Sequence, residues 1–202
     1  MAIALIYLCV AGLVTLSTTL LWVFAARVGG EVTEVALGWP AVKLGRVRVG
    51  PLPSGSIDLA GRGPDSDGRW YRIPLGKRLL VIVVPWLVWV AIALACLGPE
   101  HAVRSGVHGI GQLLFAFDLA PLVRRFVALA AVAPWSTILG ITAAKAAAWN
   151  VLPVGGMTGG GVVQELTAAS KPAMRWLMIS LVIVMGWTLV RIAWLIVQLV
   201  RG

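Results

Sequence analysis

Apolar residues in this chain gather into four long runs, and the charged residues fall mostly between them. The runs are Ala2–Ala26, Leu79–Gly98, Phe126–Trp149, which holds Pro134 and Lys145, and Trp176–Val200, which holds Arg191. Crossing the hydrocarbon core of a bilayer takes about 20 apolar residues. The pattern therefore predicts about four transmembrane helices, near 2–27, 79–98, 126–149 and 176–200. No Lys or Arg precedes Arg27, and the first run is about twice too long for the core of a signal peptide. It reads as a retained helix.

Between the runs the period changes. EVTEVALGW (31–39) and VKLGRVRVG (42–50) alternate apolar and polar residues, the period-2 signature of strands. PLPSGS (51–56) reads as a turn, SIDLAG (56–61) as a third short strand and GRGPDSDGR (61–69) as a flexible loop. Residues 28–77 are thus expected to form a small β-rich unit against the cytoplasmic face. GIGQLLFAFDLAPLV (109–123) carries Asp118 and is too short to span, so it is expected to lie in the interface or to re-enter the membrane.

Composition agrees with a single α-helical integral membrane domain over 1–202: 59% of residues are hydrophobic, 12% are charged and the mean hydropathy is +0.93. Soluble domains carry about 25% charged residues. The net charge of +9 raises nucleic-acid binding, but more than half of the basic residues lie between Arg27 and Arg78, mixed with acidic ones. No basic–aromatic interleaving of the kind that stacks bases is present. With four crossings, 28–77 shares a side with Lys171 and Arg175, and the positive-inside rule makes that side cytoplasmic and both termini extracytoplasmic. A bacterial cytoplasmic membrane is the expected location. Cys9 and Cys96 lie within apolar runs and read as small buried hydrophobes. Trp22, Trp86, Trp149, Trp176 and Trp194 fall near run ends, where Trp anchors interfaces.

One stretch carries more than hydropathy. WNVLPVGGMTGGG (149–161) closes the third run with an Asn, a Pro and a glycine cluster. It is similar to the N-L-L-P-x-x-x-L-D-G-G loop of the site-2 protease family of intramembrane zinc metalloproteases, matching at Asn150, Leu152, Pro153, Gly159 and Gly160. AARVGGEVTEVALGWP resembles that family's segment after its first helix, and PLPSGSIDL resembles its P-x-G-G-Y-V stretch more loosely. The resemblance implies a site-2-protease-like core covering nearly the whole chain.

The same resemblance implies a zinc site that these residues cannot supply. Family members place H-E-x-x-H on the first helix, two zinc-binding His on one helical face with a Glu as general base. That window falls on Ser17-Thr18-Thr19-Leu20-Leu21, so Ser17 and Leu21 stand for the two His and Thr18 for the Glu. Thr158 stands for the loop Asp. The two His of the chain, His101 and His108, lie in a connecting segment and read as surface residues even with Glu100 nearby. The leading expectation is a catalytically inactive site-2-protease-like membrane protein, with no cofactor, acting as a structural or partner-binding subunit. Its partners would be other integral membrane proteins in a hetero-oligomeric complex, within the lipid bilayer and without nucleic acid. An active intramembrane zinc metalloprotease is the alternative, and a transporter or channel accessory subunit is a third reading.

Further candidates are weighed beside these. Ser17 with Lys145 as base is a chemically allowed nucleophile pair, although Lys145 snorkelling to the interface explains that residue. Asn150, Pro153, Gly155, Gly156, Gly159 and Gly160 form a candidate helix-binding or partner-binding loop, its glycines expected to serve positive φ. Arg191 lies deep in the last run and calls for an intramembrane ion pair, with Glu165 or Asp118 as partners or an acidic group on another subunit. The Ala-rich ITAAKAAAW offers a small-residue surface for a neighbouring helix.

Overall fold

Among the described residues the chain folds into seven α-helices and one four-stranded sheet. This computed structural model describes every residue except Pro64, Ala116 and Gly202, and omits the side chains of Trp39 and of Leu199, Val200 and Arg201. The side chains of Trp39 and Val200, in the stretches 31–39 and 176–200, thus lie outside the described residues, as do Pro64 and Ala116 in the stretches 61–69 and 109–123. Helix α1 (Ala2–Arg27) leads into strands β1 (Val32–Trp39), β2 (Val42–Leu44), β3 (Val47–Val49) and β4 (Leu52–Leu59). A 3-10 turn at Arg69–Arg72 precedes α2 (Leu75–Leu97), α3 (Pro99–Leu114), α4 (Ala120–Val132), α5 (Trp135–Asn150), α6 (Thr158–Leu166) and α7 (Lys171–Arg201).

Among the described residues, three helices are long and apolar enough to cross a membrane: Ala2–Arg27, Leu75–Leu97 and Lys171–Gln198. The third apolar run does not form one span, which corrects the expectation of a helix over 126–149. Pro134 has no N–H to give and pushes Ala133 into an extended conformation (φ −79°, ψ 152°). The chain then folds back, so that Ala130 on α4 meets Ile138 on α5 and Lys145 lies over the Phe126 ring.

Helices α5 and α6 together run antiparallel to the whole of α2. Gly140 meets Cys96 and Leu97 at one end, and the Trp86 indole donates to the Ala147 carbonyl at 2.8 Å further along. Beyond the break at 151–157, Gly161 meets Ile82 and Glu165 meets Arg78. A broken helix thus pairs with an unbroken one. The small residues of ITAAKAAAW face inward: Ala143, Ala144 and Ala147 are buried against α2 and α3, with Gly106 against Ala148 and Gly109 against Lys145. That surface is consumed within the chain and is not free for a partner. Residues 109–123 span the end of α3, a turn and the start of α4, and run back alongside the middle of α5, where Lys145 donates to Gln112 at 2.7 Å.

The sheet has the order β2-β3-β1-β4, with β1–β3 parallel and the other two pairs antiparallel. PLPSGS, expected as a turn, lies mostly inside β4, because its residues pair with β1 from Leu52 to Leu59. Gly38 sits at a register shift with φ +103°, and a Cβ there would lie 2.0 Å from the Gly50 carbonyl oxygen. Only glycine fits. Strand β4 runs down α1: Gly55 touches Thr18, and the Tyr7 hydroxyl donates to the Pro51 carbonyl at 2.5 Å. From Arg27 to Tyr7 is about 30 Å along the helix at 1.5 Å per residue. The sheet therefore lies along the flank of α1 as well as at its end.

Candidate functional site

A cavity of about 340 Å³ opens where α1, β4, α2, α6 and α7 meet. Ser17, Thr18 and Leu21 line it from α1, Asn150 from the end of α5, and Gly155, Gly156, Thr158 and Gly160 from the following loop and the start of α6. Two segments some 130 residues apart in sequence, each singled out independently, thus share one cavity. Pro153 is exposed and Gly159 packs on its own loop, so neither reaches the lining.

The break between α5 and α6 has a clear local cause. Gly156 takes φ +81°, but Gly159–Gly161 are helical residues of α6 rather than left-handed turn residues. They are small for another reason. A Cβ on Gly159 would sit 2.1 Å from the Val151 oxygen, and one on Gly160 would sit 2.0 Å from the Val154 oxygen. Gly155 does the same against the Leu177 backbone, at 2.6 Å. The loop lies under the first turn of α6 and against α7 with no room for side chains.

The Ser17 and Thr18 hydroxyls in the cavity are turned to their own helix. Ser17 and Thr18 both donate to the Val14 carbonyl, at 3.0 and 2.9 Å, the back-bonding expected of such residues inside a helix. Asn150 donates to Ala146 at 2.9 Å. Lys145 is held by Gln112 and does not line the cavity, so the Ser17–Lys145 nucleophile pair is not assembled. Zinc is held by thiolate, imidazole and carboxylate. Two hydroxyls, a Leu and a Thr do not fit it, and no group of three His, Cys, Asp or Glu able to hold a metal occurs among the described residues.

Beside the cavity lies a polar cluster that the sequence reading did not anticipate. Glu165 on α6 is 1% exposed. It accepts from Arg62 Nε at 2.9 Å, Arg78 Nη1 at 2.6 Å and the buried Trp70 indole at 2.9 Å. Charge-assisted bonds of this kind are the strong ones, and here they tie α6 to the start of α2 and to the segment after β4. Arg78 also stacks 4.8 Å from the Tyr71 ring centroid and donates to the Ile73 carbonyl. Burial, and then the charge of Glu165, push the Tyr71 phenol above its ordinary value, against opposing pulls from Gln164, Arg62 and Arg78. Arg62 and Arg78 flanking an apolar run were the available signal. Which acid they would meet, about a hundred residues on, is not written in local spacing.

Arg191 is buried as expected but makes no intramembrane ion pair among the described residues. Its Nη1 donates to the Leu113 carbonyl at 2.8 Å and its Nη2 to the Gln112 carbonyl at 2.6 Å, while Nε has no partner. These are end-of-helix carbonyls of α3, which carry negative partial charge and welcome a cation. Glu165 is committed elsewhere, and Asp118 accepts from the Ala120 N–H at the start of α4. Trp86 and Trp149 likewise donate to helix carbonyls inside the molecule, Trp149 to Gly109 at 2.7 Å, whereas Trp22, Trp176 and Trp194 stand exposed as anchors would.

Comparison with protein-family models, with curated proteins and with solved structures finds no match to this chain.

Proposed function

We propose that this chain is a catalytically inactive, site-2-protease-like membrane protein that serves as a structural or partner-binding subunit of a membrane complex. The observation that carries the reading is the meeting of Ser17, Thr18 and Leu21 with Asn150 and Thr158 around one cavity. The quoted motifs call for that juxtaposition, and hydropathy alone does not. Neutral side chains stand at all four positions where the family's chemistry needs two imidazoles and two carboxylates. On this reading α5 and α6 make the third of four crossings as a broken helix alongside α2. Irregular backbone at membrane depth is tolerated where it is buried in protein or lines a cavity, as 151–157 does here. An even number of crossings puts both termini on one side, and the positive-inside rule makes that side extracytoplasmic, so that the 28–77 segment leaves and re-enters from the cytoplasmic side of a bacterial cytoplasmic membrane.

The test is metal content together with co-purification. The chain isolated from membranes in mild detergent should carry no stoichiometric zinc and should bring down a defined set of membrane proteins. One firmly bound zinc per chain, or a monodisperse lone monomer, would overturn the reading. Thr158→Asp alone should restore neither zinc nor proteolysis, since the first helix still lacks its ligands.

A further inference from the structure

Arg62 both lines the cavity and belongs to the Glu165 cluster. In that cluster two guanidinium groups face one carboxylate, so one positive charge is left over. Arg62 gives Nε to Glu165, and among the described residues neither of its Nη atoms takes a partner. Its Nη2 is the nearest charged atom to the cavity-lining Gly161, 3.8 Å from where a Cβ would stand. The rest of the lining carries no charge: Val14, Leu21, Ile82, Trp86, Leu177 and Leu181 are apolar, and the polar groups among them are hydroxyls and amides. A cavity of this size falls in the range of about 300–1,000 Å³ typical of small-molecule sites.

Position adds to composition. Arg62 and Arg78 meet at the start of α2, where a spanning helix leaves the hydrocarbon and lipid headgroups lie. Lys171 and Arg175 stand exposed at the start of α7, beside the same end of the cavity wall formed by Met174 and Leu177. Basic pockets between transmembrane helices at this level are built to take anionic lipid headgroups. We propose that the cavity binds one anionic phospholipid, its phosphodiester against the free face of Arg62 and an acyl chain along Leu177, Met178 and Leu181. The proposal rests on the reading of the cavity as one without catalytic zinc. In that case the space beside Ser17 and Thr18 is free for an apolar chain.

Nanodiscs holding the full chain in equal phosphatidylglycerol and phosphatidylcholine, stripped gently and weighed by native mass spectrometry, decide it. One retained phosphatidylglycerol per chain is expected, preferred about tenfold or more over phosphatidylcholine, which has the same phosphodiester but brings a choline cation up to the surplus positive charge of the cluster. Arg62→Gln should abolish that preference and Arg62→Lys should keep most of it. Ser17→Trp, which adds bulk to the cavity lining while Arg62 and Glu165 themselves are unchanged, should remove the retained lipid, and it keeps the test decisive if Arg62→Gln does not fold. Equal retention of both lipids, retention unchanged in Ser17→Trp, or displacement by millimolar inorganic phosphate alone would each overturn the proposal. Zinc is measured on the same sample. Lipid with one zinc per chain overturns the inactive reading alone, and neither lipid nor zinc overturns the lipid site alone.

Discussion

Helices α5 and α7 are both apolar, yet they fold by opposite means. Helix α5 has 16 residues and buries Ile138, Gly140, Ala143, Ala144 and Ala147. Helix α7 has 31 residues, and along its described side chains only Leu177 and Arg191 are buried. Val182, Ile183, Leu189 and Ile196 point away from the protein. Large apolar side chains facing lipid gain nothing from further packing, because lipid tails are as apolar as they are, whereas small residues let backbones approach and gain close contact. Of the three helices long and apolar enough to span, α7 is therefore the least embedded, and the shorter α5 is the centre of the molecule.

That contrast can be broken from either side. The largest effect is expected from Glu165→Ala on α6, which leaves the buried Arg78 and the half-buried Arg62 without their shared carboxylate. Losing one partner of such a cluster costs about 3–5 kcal/mol, and the thermal midpoint in detergent should fall accordingly. Next comes Gly140→Leu on α5, where even a Cβ would meet Cys96 Cβ and Leu97 Cγ at 2.7 Å. Overpacking there should cost about 1–3 kcal/mol in the same assay. Arg191→Met should cost about 1 kcal/mol net, since two bonds to carbonyls are exchanged for relief of a buried charge. Its distinguishing sign is looser cross-linking of α7 to the end of α3 with the α2–α5 contact intact. Val182→Ala, on the lipid face of α7, should stay within about 0.5 kcal/mol. A midpoint shift for Val182→Ala as large as that for Gly140→Leu would show that the two helices do not differ as described.

Much of this arrangement is legible in the residues, and the misreadings have physical causes. Spans α1, α2 and α7 follow from uninterrupted apolar length. The run at 126–149 breaks at Ala133 and Pro134 into helices of 13 and 16 residues, each too short to span, whereas Pro85 is carried inside an unbroken α2. The Ala-rich face of α5 is correctly a packing surface, but composition does not say whose helix it meets. The cavity residues Ser17, Thr18, Leu21, Asn150 and Thr158 are reached through the resemblance to the site-2 protease motifs, counted along the chain from the matched segments. Arg191 shows the limit of counting charges: a carboxylate is one way to settle a buried cation, and a pair of helix-end carbonyls is another. Glu165 is read as a partner for Arg191 and Trp70 goes unnoticed, because their pairing spans 95 residues of sequence.

The sheet along α1 also constrains what can surround that helix. Pro51 reaches Tyr7 and Gly55 reaches Thr18, so β4 follows α1 over most of its length. Strand pairing satisfies the inner backbone groups, but β2 and β4 remain open edges. In hydrocarbon each bare N–H or C=O costs several kcal/mol, and open edges are tolerated there only against protein or water. The flank of α1 that carries the sheet is therefore a side that lipid alone does not cover.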